Sequence, residues 1–101
     1  MIVRTWRGRA AKSNPEAYIA HFRRNVLPEL RGIEGFLGAT LLKEMRADDV
    51  EFLVLSRWAS LNAVRAFAGD DLSRAVVEPE AVAALKDFDK TVHHYEVVEG
   101  T

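Results

Sequence analysis

The chain opens on strand-forming residues, Met1 to Arg7, in which Ile2, Arg4 and Trp6 share one face and Val3, Thr5 and Arg7 the other. Gly8 to Ser13 is polar and turn-like. Ser13 or Asn14 can then cap a helix, Pro15 suits its first turn, and Glu16 favours its positive end. Tyr18, Phe22 and Val26 recur every four residues, with Ile19 and Leu30 beside them. This spacing predicts a helix from Pro15 to Leu30, its last turn broken or bent at Pro28. Gly32, Gly35 and Gly38 punctuate the next segment, where Phe36 to Leu42 reads as a second strand. The polar turn Arg46 to Asp49 leads to a third, whose run Phe52-Leu53-Val54-Leu55 is apolar at consecutive positions, as in a strand buried on both faces. Ser60 then stands at a helix N-cap, Leu61, Val64, Phe67 and Ala68 give one apolar face, and Gly69 ends the turn. Pro79 and Glu80 start a short helix carrying Val82, Leu85 and Phe88. Thr91 to Glu99 reads as one closing strand, with His94 and Glu96 on one face and His93 and Tyr95 on the other.

The order is β-α-β-β-α-β, an α+β ferredoxin-like arrangement in a single domain over residues 1–101. Right-handed crossovers place both helices on one face of a four-stranded antiparallel sheet. The other sheet face then needs a cover, and a second copy packed sheet to sheet is the simplest one. A homodimer is therefore expected.

Charge narrows the partners. Fourteen Lys and Arg against fifteen Asp and Glu leave a formal net charge of −1, so nothing pulls the whole chain toward nucleic acid or an anionic membrane. Arg4, Arg7 and Arg9 interleave with Trp6, but the third strand lacks the glycine and stacking rings of the RNA-recognition motif. The chain has no cysteine, which removes disulfides and thiolate chemistry and fits a cytoplasmic protein. No apolar run reaches the roughly eighteen residues of a membrane span. The N-terminus, with three arginines by position nine, does not read as a signal peptide.

Three motifs carry a resemblance: W-x-S-x-x-A-x-x-A-F from Trp58 to Phe67, EGFLG from Glu34 to Gly38, and HYEVV from His94 to Val98. Together they resemble the antibiotic biosynthesis monooxygenase family across Met1 to Glu99. The resemblance implies a dimeric α+β barrel and, for an enzyme, cofactor-independent oxygenation of a small aromatic or polyketide-like substrate. Similar proteins also include haem-degrading monooxygenases. That branch uses an Asn, a Trp and a His, and aligning the TWRG and AFAGDD stretches puts Trp6, Phe67 and Val77 at those positions. The haem ligand is thus replaced by Val77, and no cofactor is expected.

Within that frame the candidate site residues are few. Trp6 points toward the gap between sheet and helices, as a wall for an apolar ring or as a core tryptophan with its N–H on backbone. His94 and His21 are candidate bases, suited to take a proton from a phenol or hydroquinone-like substrate, which then passes an electron to oxygen directly. Each reads equally as an interior or boundary histidine bonded to protein. His93 and His94 point to opposite faces and form no metal clamp, so no metal site is expected. Tyr18 is a candidate hydrogen-bond donor to substrate, and Trp58 and Phe67 are core rings with a share in lining a pocket. A non-catalytic small-ligand-binding dimer and a haem-binding relative are the competing readings.

Overall fold

In the computed structural model, which describes residues 1–100, β1 (Ile2–Ala11) runs through the middle of a five-stranded antiparallel sheet. On one side β1 pairs with β3 (Asp49–Trp58), and β3 with β2 (Phe36–Met45). On the other side β1 pairs with two short pieces, β4 (Asp87–Phe88) at Gly8 and Arg9 and β5 (His93–Glu96) at Ile2 to Thr5. Two expectations are corrected here. A two-residue strand forms ahead of the closing one, so the sheet has five strands rather than four; the closing strand shortens to His93–Glu96, and Phe88 lies in β4 rather than on a helix. β1 also runs on from Arg7 to Ala11, because Asp49 to Phe52 supply it with partners.

The helix expected over 15–30 consists of α1 (Glu16–His21), a π-helical turn (Phe22–Val26) and α2 (Leu27–Arg31). Leu27 N–H reaches back five residues to the Phe22 carbonyl. Pro28 has no N–H to give and its ring crowds the turn before it, so the wider turn falls just ahead of it. Helix α3 (Leu61–Ala68) starts as expected, with Ser60 Oγ accepting from Ala63 N–H at 3.2 Å, and ends at Gly69 with φ +81°. Helix α4 (Pro79–Ala84) follows an irregular strap, 70–78.

Along β1 and β3 the helix-facing pairs are Gly8 with Phe52, Trp6 with Val54, Arg4 with Ser56 and Ile2 with Trp58. Two buried clusters form on that face. One gathers Tyr18, Phe22, Val50, Phe52 and Leu85, and the other Leu30, Trp58, Ala63 and Val64. Gly35 lets α3 close on the hairpin, since a Cβ there would lie 2.6 Å from that of Ala63 and the backbone φ is +89°. The opposite sheet face carries Val3, Thr5, Leu53 and Leu55, half-buried, with Leu42 and Tyr95 exposed. No helix among the described residues is long and apolar enough to cross a membrane.

Candidate functional site

Between the two clusters the packing leaves a cavity of about 70 Å³. Its floor is Arg4, Trp6, Val54 and Ser56 of the sheet. Tyr18, His21 and Glu29 wall it from α1 and α2, Phe67 from α3, and the strap residues Val76, Val77 and Glu78 line its remaining side. Trp6 is held flat over the strand by Gly8, where a Cβ would come within 2.9 Å of the indole and of Leu85. Its Nε1–H donates to the Asp89 carbonyl at 2.7 Å, so the ring is both wall and anchored core. Tyr18 and Phe88 flank it at ring separations of 6.0 and 6.2 Å.

His21 is buried. Its Nδ1 lies 2.9 Å from Asn25 Nδ2 and 3.2 Å from Glu80 Oε2, while Nε2 has no partner among the described residues. Nδ1 can either accept from the Asn25 amide or donate to Glu80, and in the second tautomer Nε2 carries the lone pair that a guest could meet. Tyr18 is buried as well, and burial, then the Glu78 carboxylate, push its phenol far above the usual range. It is therefore a proton-bearing donor with no protein acceptor among the described residues. The neighbouring Glu78 carboxylate, and then burial, raise the Glu29 carboxyl above its ordinary value. His21, Glu78 and Glu80 bring one ligand atom each within 4.8 Å of one another. That donor set suits a divalent cation, but the Asn25 amide already donates to Glu80 Oε2 at 2.9 Å beside His21.

Arg4 is 5% exposed and lines the cavity. Its Nη1 donates to the Leu72 carbonyl at 2.8 Å and to His94 Nε2 at 2.9 Å, and Nη2 donates to the Arg74 carbonyl at 3.1 Å. The Phe67 ring lies under the guanidinium at 5.7 Å. His94 therefore stands behind Arg4 and not on the cavity wall, and the nitrogen it would use as a base already accepts a proton from arginine. Trp58 is likewise off the wall, fully buried against Phe67 and Phe36, with its N–H on Ser56 Oγ at 2.9 Å. The structure thus brings Trp6, Tyr18, His21 and Phe67 together and leaves His94 and Trp58 one layer out. Arg4, Glu29 and Glu78 are the charged lining residues that sequence reasoning missed. The signal for Arg4 was present, because period two puts this charge on the helix-facing side with Trp6.

An α+β sheet with helices on one face and an aromatic hollow beneath them defines the class, a ferredoxin-like α+β fold. The model of the antibiotic biosynthesis monooxygenase family matches residues 1–79, and the chain belongs to that family. SnoaB, a cofactor-independent oxygenase from Streptomyces nogalater, superposes with a TM-score of 0.65 at 20% identity, over 98% of this chain and 95% of its own. MhuD, a haem-degrader from Mycobacterium tuberculosis solved with two haems in its active site, gives 0.59 at 19% identity, over 100% of this chain and 99% of its own. No curated protein matches the sequence.

Haem is tested by the residues present. Trp6, Phe67 and Val77, the positions matched to the haem-degraders' Asn, Trp and His, all line this cavity, so the alignment places them together. None of the three side chains can ligate iron. A space of about 70 Å³ is also far below what a macrocycle fills. The position that supplies their ligand carries no donor in this chain, and the imidazole on this wall is His21.

Proposed function

We propose that this protein is a cofactor-independent monooxygenase, acting on a small aromatic or polyketide-like substrate in this cavity and working as a homodimer. One observation carries the reading: a buried histidine with a free ring nitrogen stands in a hollow walled by Trp6, Tyr18 and Phe67. Apolar rings align a flat substrate. His21 Nε2 takes a proton from an acidified carbon, such as the CH2 of a phenol's keto tautomer, while Glu80 steadies the imidazolium. The carbanion passes electrons to dioxygen. The carbon gives up both hydrogens and gains one oxygen atom as C=O, and the second oxygen atom leaves as water. The sum is CH2 + O2 → C=O + H2O, which needs no outside reductant.

Room is the limiting quantity. A cavity that takes benzene measures roughly 150 Å³, about twice the present space. Binding of such a substrate therefore requires the space to widen, and the strap is the part of its wall outside regular structure. The strap is irregular, and its backbone ties outward are few: Ala75 N–H to Lys90, Val92 N–H to Ser73, and the two Arg4 bonds. The small volume also favours a second reading, a non-catalytic small-ligand-binding dimer.

An oxygen electrode separates the two readings. With anthrone as substrate, the enzyme reading predicts one O2 consumed per anthrone, above the spontaneous rate, and its loss in His21→Ala. Saturable binding with oxygen uptake at the spontaneous rate leaves the second reading.

A further inference from the structure

Arg4 is the one arginine or lysine in the cavity wall, and its charge has no anionic partner among the described residues. The contrast within the chain is direct. Arg9 meets Glu51, Asp87 and Asp89, and Arg46 meets Asp49 and Glu51, although both are more exposed than Arg4. A guanidinium has five N–H donors in a planar fork. Three are bonded, all to neutral acceptors: two carbonyls and the His94 imidazole. Neutral acceptors satisfy hydrogen bonds but leave the charge uncompensated, and a buried uncompensated charge costs several kcal/mol. Burial alone pulls the Arg4 pKa down to about 10, with no carboxylate offsetting it.

The cavity's own acids lie with a different set of side chains. Glu29 lies beside Glu78, and Glu78 acts on Tyr18. Arg4 sits instead among Leu72, Arg74, His94 and Phe67. The Nε–H and one Nη2–H remain for a guest, and that edge of the fork suits a planar pair of oxygens or a single oxyanion.

We propose that the cavity takes its guest as an aromatic oxyanion, a carboxylate or enolate, with the ring against Trp6 and Phe67 and the charged oxygen on Arg4. This rests on the preceding reading for the location of the site and not for its chemistry. On that reading, the anion left when His21 removes a proton would meet its counter-charge at Arg4. A purely structural arginine would only tie the strap down, and would give no preference between charged and neutral guests of one shape.

The test compares 2-naphthoate with 2-naphthamide, and benzoate with benzamide, by titration calorimetry on the full chain at pH 7.5. The expected result is at least tenfold tighter binding of each acid than of its amide. In Arg4→Met the preference disappears while amide binding persists. Should Arg4→Met fail to fold by circular dichroism, Arg4→Lys decides, because a point charge in place of the fork lowers acid affinity several-fold and leaves amide affinity alone. Equal affinities in the wild type, no binding of either acid, a preference intact in Arg4→Met, or acid and amide affinities moving together in Arg4→Lys would each overturn the proposal. Acid binding without oxygen uptake removes the catalytic reading and leaves this one standing. Oxygen uptake with no acid preference does the reverse.

Discussion

Across the β1–β5 pair, Arg4 Nη1 donates to His94 Nε2 at 2.9 Å. Arginine has no acceptor, so that nitrogen must carry a lone pair and the imidazole must be neutral. Burial first, then the Arg4 charge, then His93, hold the His94 pKa below its ordinary value. In the unfolded chain His94 titrates near 6.5. Above that pH neither state binds the proton. As pH falls below it the unfolded chain gains a proton that the folded one refuses, so stability drops until the lower folded value is passed. Urea midpoints of the wild type should therefore fall between pH 7 and pH 5 more steeply than those of His94→Gln. Parallel curves would contradict the assignment.

The carboxyls at the strap have the opposite sign. Contact with Glu78 raises the Glu29 carboxyl, so the folded state favours its protonated form. That contribution is full below the unfolded value near 4.3 and is lost as pH rises through the folded one. At pH 7.5 Glu29→Gln should melt slightly higher than wild type, because a repulsive pair is relieved. The gain should shrink as pH approaches 4, and thermal melts across that range check it. Glu29 is exposed to solvent, which keeps the effect small.

Trp58 is the fully buried ring of the second cluster. It stacks on Phe67 at 5.8 Å and meets Phe36 edge-on at 5.3 Å. Trp58→Ala should cost about 3–5 kcal/mol in urea unfolding and leave Ser56 Oγ without its donor. A loss under about 1 kcal/mol would mean that the cluster collapses to fill the gap.

Leu55 lies between Thr5 and Thr40 on the sheet face away from the helices, with Leu53 and Val3 near it. If two copies cover that face, Leu55→Glu places a charge in their interface and should give a monomer by analytical ultracentrifugation at micromolar concentration. The wild type should sediment as a dimer. A monomeric wild type removes the homodimer.

Much of the fold was legible because local signals agreed with the topology. Ser60, the apolar face behind it and Gly69 fix α3 by capping and period alone. The extra strand β4 was not legible, since Asp87 and Phe88 become a strand only by meeting Gly8 and Arg9. The π turn before Pro28 was half visible, because the sequence marks the disturbance and not how the helix absorbs it. In the site, Trp6, Tyr18, His21 and Phe67 followed from face and spacing. Glu29 and Glu78 did not, being brought together only when the strap folds back over α2. His94 has the predicted face but stands behind an arginine that the sequence reading had grouped with its surface neighbours Arg7 and Arg9.

The central question is whether the hollow under the helices admits a guest. Proton–nitrogen correlation spectra recorded while 2-naphthoate is added measure this directly. The prediction is a saturable shift of the Trp6 indole N–H together with the backbone signals of Arg4, His21 and Val76 to Glu78, and little change at Leu53 or Leu55. A still Trp6 indole, or shifts gathered on the open sheet face, would contradict it.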